Sequence, residues 1–190
     1  MLHPELTHVI KDTQRRLLNE GKLPTPERLQ AYYATFRERF GPQVLANLDG
    51  EVLLTTMHDL RRENRNSLAY WLEFKNDDEF PFIFGSISGG SALKFGVYPN
   101  AATGRWMTRD QSNYPVEITV EEAIDIARRH REQLLHGVDL LYRLSPNASD
   151  EEYAALQHSI DEQMPNVGLT AWGHKYLSLL FPDKLDDYHM

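Results

Sequence analysis

The glycines of Gly85-Ser86-Ile87-Ser88-Gly89-Gly90-Ser91-Ala92 are spaced as in a phosphate-binding P-loop. Ser91 and Ala92, however, stand where a lysine and a serine or threonine must hold phosphate and magnesium. The stretch therefore predicts a glycine-permitted hairpin turn, or a loop whose backbone N–H groups around Gly89 and Gly90 meet a ligand. A second pattern is Glu73-Phe74-Lys75 on an expected strand, where a carboxylate holding a metal ion and a lysine stabilising developing charge would make a metal-dependent nuclease. That chemistry also needs an upstream acid, and Asp49 and Asp59 fall in segments that read as helix or turn. A strand ending in alternating charges is the plainer reading. No His-Glu-x-x-His zinc helix, Gly-x-Ser-x-Gly elbow or dinucleotide fingerprint occurs, so no catalytic residue, metal or cofactor is assigned. His130 falls on the apolar stripe of a long helix, where a hydrogen-bonded, half-buried imidazole is expected. Asp186, Asp187 and His189 read as a solvated chain end.

The richest feature is aromatic. Tyr70, Trp71, Phe74, Phe82, Phe84, Phe95, Tyr98 and Trp106 crowd one region beside Lys94, Arg105 and Arg109. Strand alternation does not bury all of them on one face. Two readings follow: a second hydrophobic layer, or a ligand surface on which Trp71, Tyr98 and Trp106 stack on a planar base while Lys94, Arg105 and Arg109 meet phosphate.

The elements that must position these residues change character along the chain. Pro4, Leu6, Val9, Ile10 and Leu17 predict a helix over 4–20, and Thr25-Pro26-Glu27 opens a second that ends at Gly41-Pro42. Asp49-Gly50 divides two further short helices. From Ser67 the period becomes two: Leu68, Tyr70, Leu72 and Phe74, then Phe82 to Ile87, then Leu93, Phe95 and Val97, then Arg105 to Thr108, predict an antiparallel meander. Thr119 with Glu122 and Ser149 with Glu152 form capping-box patterns, the first opening the longest helix, about 119–143. The expected architecture is α+β, a small antiparallel sheet at about 67–108 packed with helices from 1–62 and 119–190, all in one domain over 1–190.

Composition narrows the function classes. With no cysteine there is no disulfide framework and no thiolate nucleophile, while eight histidines are present. A formal charge of −8 opposes sequence-blind binding along nucleic acid, so any such contact must be local. No run approaches the roughly 18 apolar residues of a membrane helix, and the N-terminus lacks a charged region followed by an apolar one. A cytoplasmic protein with no membrane partner is expected.

Several segments together resemble the N-terminal region of bacterial McrB-like AAA+ ATPases of modification-dependent restriction systems. They are Asp49 to Leu54, Tyr70 to Phe80, Phe84 to Gly96, Glu121-Glu122-Ala123-Ile124, Ala171-Trp172-Gly173-His174-Lys175-Tyr176, and Pro182-Asp183-Lys184. The resemblance implies a target-recognition module, with modified DNA as a partner, an AAA+ motor region that hydrolyses nucleotide, and a separate nuclease subunit that cuts. No Walker A lysine is present, so the resemblance also implies that this chain is the N-terminal part of a larger ATPase. A protein–protein adaptor docking onto the ATPase ring is the alternative that better suits the acidic composition.

Overall fold

A computed structural model describes residues 4–61, 63–75, 80, 83, 87 and 92–186. α1 (Pro4–Asn19) and α2 (Pro26–Phe40) both open on proline, whose fixed φ suits the first helical turn. Thr25 caps α2 by accepting from the Arg28 N–H at 3.2 Å. The short helices α3 (Pro42–Ala46) and α4 (Gly50–His58) follow, separated at Asp49-Gly50 as expected.

The next segment departs from the strand expectation. Ser67 caps a helical turn, α5 (Leu68–Tyr70), which continues as a π-helical turn over Trp71–Lys75. The alternation of Leu68, Tyr70, Leu72 and Phe74 looks like a strand, but helical winding splits the set. Tyr70 and Phe74 stand about 200° or more around the axis from Leu68, on the side opposite Leu68 and Leu72. Leu68, Ala69, Trp71 and Leu72 are accordingly buried, whereas Phe74 is 47% exposed. The expected strand over Leu93, Phe95 and Val97 is also corrected. Ala92–Phe95 forms a 3-10 turn, and Gly96, with φ of 77°, breaks the extended run that begins only at β1 (Tyr98–Pro99). The expected strand from Phe82 to Ile87 falls mostly outside the described residues.

β1, β2 (Trp106–Arg109) and β3 (Pro115–Glu117) form one antiparallel sheet in sequential order. Tyr98 pairs with Met107 and Thr108 with Val116. The α+β class therefore stands, with a small three-stranded sheet, though the sheet begins only at Tyr98 and runs past the expected span of about 67–108 to Glu117. β3 escaped the sequence reading because Val116 is its single strongly apolar residue.

The C-terminal half is helical. α6 (Val120–Arg143) and α7 (Asp150–Gln163) both carry the complete capping boxes expected of Thr119 with Glu122 and Ser149 with Glu152. α6 packs on α3, α4, α7 and α8 (Ala171–Leu180), and α8 also lies against α2. One hydrophobic cluster runs from Phe36 through Leu72, Phe95, Leu134 and Trp172 to Phe181. Among the described residues no helix is long and apolar enough to cross a membrane.

Polar side chains close the ends of these helices. Tyr176 donates its hydroxyl to Phe40 O at 2.9 Å, and Arg37 donates to Leu180 O at 2.9 Å. Lys184 donates to Leu141 O at 2.6 Å and Leu144 O at 2.8 Å, placing a cation on the C-terminal carbonyls of α6. Lys184→Met keeps the aliphatic stem and removes these bonds. It is expected to cost about 1–2 kcal/mol, read as a lower urea midpoint at unchanged slope.

Candidate functional site

Near the expected ligand region lies a groove of about 620 Å³ lined by Leu60, Arg61, Glu63, Arg65, Tyr70, Phe74, Pro99 and Ala101. Three elements build it: the loop after α4, the outward face of α5 with its π-helical turn, and the β1–β2 hairpin. Tyr70 and Phe74 reach it because they are one turn apart on the solvent side of that turn, with ring centroids 5.3 Å apart and planes tilted by 47°.

A buried acid organises the loop. Asp59, at the end of α4, accepts from the Arg61 backbone N–H at 3.0 Å, from Arg61 Nε and Nη2 at 2.8 Å each, and from Asn64 Nδ2 at 3.1 Å. Burial opposes ionisation of Asp59, but the hydrogen bonds from Arg61 and Asn64 outweigh it and hold the carboxyl below its ordinary value. The Asp59 side chain in turn pushes the Arg61 guanidinium up. Ser67 donates its hydroxyl to Asp59 O while accepting from the Tyr70 N–H at 3.1 Å, so one serine ties the loop to the aromatic turn. Arg61 is thus held in a fixed fork, with Nη1 making no hydrogen bond among the described residues. Arg65 is exposed at the groove and makes no ion pair among them.

The residues proposed from sequence are placed differently. Trp71 is 4% exposed, with Phe40 and Phe80 ring centroids each 5.3 Å away, the Arg39 guanidinium 5.3 Å from its ring and Lys75 Nζ 5.0 Å from it. Trp106 is 8% exposed and belongs to the same core cluster. These two indoles are built into the core, which corrects their assignment as stacking residues: a ring face already covered by side chains has none left for a base. Lys94 is paired with the Glu73 carboxylate and donates to Ile87 O at 3.0 Å. Arg105 makes a two-pronged contact with Glu117 at 2.8 and 3.0 Å across the hairpin. Tyr98 is half-buried, and burial pushes its phenol up against the opposing charge of exposed Arg109. Gly89 and Gly90 lie outside the described residues.

The metal-nuclease set is dispersed as well. Glu73 faces Lys94, Lys75 lies over Trp71, Asp59 holds Arg61, and Asp49 holds Arg128 at 2.7 and 3.0 Å. Among the described residues no group of three or more metal-binding side chains occurs.

His130 lies on α6 but is fully buried rather than half-buried, and its partner is a second histidine. His130 Nδ1 lies 3.2 Å from His58 Nε2, and both rings pack on Trp172, at 5.6 and 5.9 Å. Burial, reinforced by the neighbouring imidazole, lowers His58 well below its ordinary value. Burial, aided by Arg129, lowers His130 to about 4. The pair is therefore neutral, one ring donating to the other. Sequence reasoning passed over Arg61, Arg65 and His58, although Ser67 ahead of an apolar run was an available cue to a helix start there.

No protein-family model matches the chain, and no curated protein or solved structure does either.

Proposed function

We propose that this chain is a non-catalytic recognition module that receives nucleic acid at the Arg61–Phe74 groove. On this reading it serves an AAA+ motor and a partner nuclease of the restriction type its sequence resembles. The observation that carries the reading is the juxtaposition, in one groove, of Arg61 and Arg65 with the tilted Tyr70 and Phe74 rings. Guanidinium groups meet phosphate in a directed way and aromatic faces meet bases. The formal charge of −8 makes the contact local rather than a track along the backbone.

The test is fluorescence anisotropy with cytosine-modified and unmodified DNA duplexes over a range of salt. Arg65→Ala is expected to weaken binding to all sequences alike and to reduce the salt slope by about 1. Absence of binding to either duplex by the folded, unmutated protein rejects the DNA reading.

The adaptor alternative has its own support. Leu6, Val9 and Ile10 of α1 are exposed, an arrangement suited to docking on another protein. Val9→Asp abolishes association with an ATPase ring on that reading and leaves DNA binding untouched.

A further inference from the structure

The groove's charges, size and ring faces specify more than affinity for nucleic acid. The charged residues that line it are of both signs: Arg61 is held by Asp59, Glu63 favours the charged form of Arg61, and Arg65 stands two residues beyond Glu63. Such a set gives no field of one sign for a run of phosphates to follow. It offers directed contacts instead: a guanidinium fixed by Asp59, an exposed guanidinium at Arg65, and a carboxylate at Glu63 able to accept from a hydroxyl or an amine. The volume of about 620 Å³ belongs to the range of small-ligand sites. The Phe74 ring is 47% exposed at the groove, and a base that stacks on it must have its own face free. Within a duplex those faces are already covered by neighbouring base pairs.

Resting on the reading of this groove as the ligand site, we propose that it binds one unpaired nucleotide unit, a planar base with its sugar and a single phosphate. The base lies against Phe74 and Tyr70, the phosphate meets Arg65 and the free edge of Arg61, and Glu63 accepts from the sugar hydroxyls or an exocyclic amine. The same unit is available from a free nucleoside monophosphate and from the unpaired end of a strand. Leu60, Pro99 and Ala101 supply the apolar walls that exclude water from the stacked base.

The experiment is isothermal titration of the unmutated chain with the adenosine, guanosine, cytidine and uridine 5′-monophosphates, a single-stranded hexanucleotide and a blunt duplex. Saturable binding of at least one monophosphate is expected, weakened about tenfold by Phe74→Ala, the loss of one base–aromatic stack. Arg65→Ala and removal of the phosphate from the ligand are each expected to weaken it by a similar factor. Tyr114→Ala removes an aromatic ring that is 69% exposed in the turn between β2 and β3, and should leave binding unchanged. Circular dichroism of each variant establishes that it is folded. If the monophosphate and the hexanucleotide compete, the tighter of the two identifies the source of the unit. Duplex binding that Arg65→Ala weakens, with no binding of monophosphate or single strand, overturns this proposal and leaves the wider nucleic-acid reading standing. Nucleotide binding that neither Phe74→Ala nor Arg65→Ala alters overturns the assignment to this groove. Silence from every ligand overturns both readings.

Discussion

Trp71→Ala is expected to destabilise the protein by about 3–5 kcal/mol, the cost of emptying a large aromatic site in a packed core. The indole is 4% exposed and touches Phe36, Phe40 and Phe80, which come from α2 and from the segment beyond the π-helical turn. Its removal opens a cavity that those rings cannot fill without leaving their own positions. Phe74→Ala, three residues on, removes a ring that is half in solvent and should change stability by less than about 1 kcal/mol. Urea unfolding of both variants checks the pair of values. Equal small losses would place Trp71 at the surface, contrary to the packing described.

The second large effect is on pH. Unfolded imidazoles titrate near about 6.5, whereas burial holds His130 at about 4 and His58 well below its ordinary value. The unfolded chain therefore takes up protons first as pH falls. The stability contributed by burying the neutral pair is complete above the unfolded value and is lost as pH drops toward the folded one. Between pH 7 and pH 5 His130 alone should account for a loss of about 2 kcal/mol, with His58 adding in the same direction. The window separates the histidines from aspartates such as Asp49, whose hydrogen bonds with Arg128 hold it at about 2, so that its contribution is lost only in stronger acid. Urea midpoints across this range measure the slope, and replacing both histidines with glutamine should flatten it. A midpoint that does not move between pH 7 and pH 5 is incompatible with a buried neutral pair.

The two capping boxes, the proline-initiated α1 and α2, and the break at Asp49-Gly50 were legible because each depends on contacts within a few residues. The α+β class stands, although the strand-like spacing of Leu68 to Phe74 and of Leu93 to Phe95 belongs to helical turns, and of the runs read as strand only that around Trp106 to Thr108 became β2 among the described residues. The site was not legible. Leu68 to Lys75 satisfies a strand period as well as a helical one, and the choice is made by Ser67, whose hydroxyl bonds to Asp59 O across the loop, and by buried Lys175, whose ammonium donates to Leu72 O at 2.8 Å from α8. The aromatic crowding was visible in the sequence, but which rings face water depends on that winding.

Sequence alone therefore determined most of the helix starts, the longest amphipathic helix, the absence of thiol chemistry and the acidic balance that limits polyanion binding. Tertiary structure decided which residues meet. Trp71 and Trp106 pass into the core, while Tyr70, Phe74, Arg61 and Arg65 come to one groove. His58 finds His130, 72 positions away in the chain. Caps and turns are set by bonds spanning three or four residues, but the exposure of a ring and the partner of a buried imidazole are set by packing between elements distant in sequence, and no local spacing encodes that.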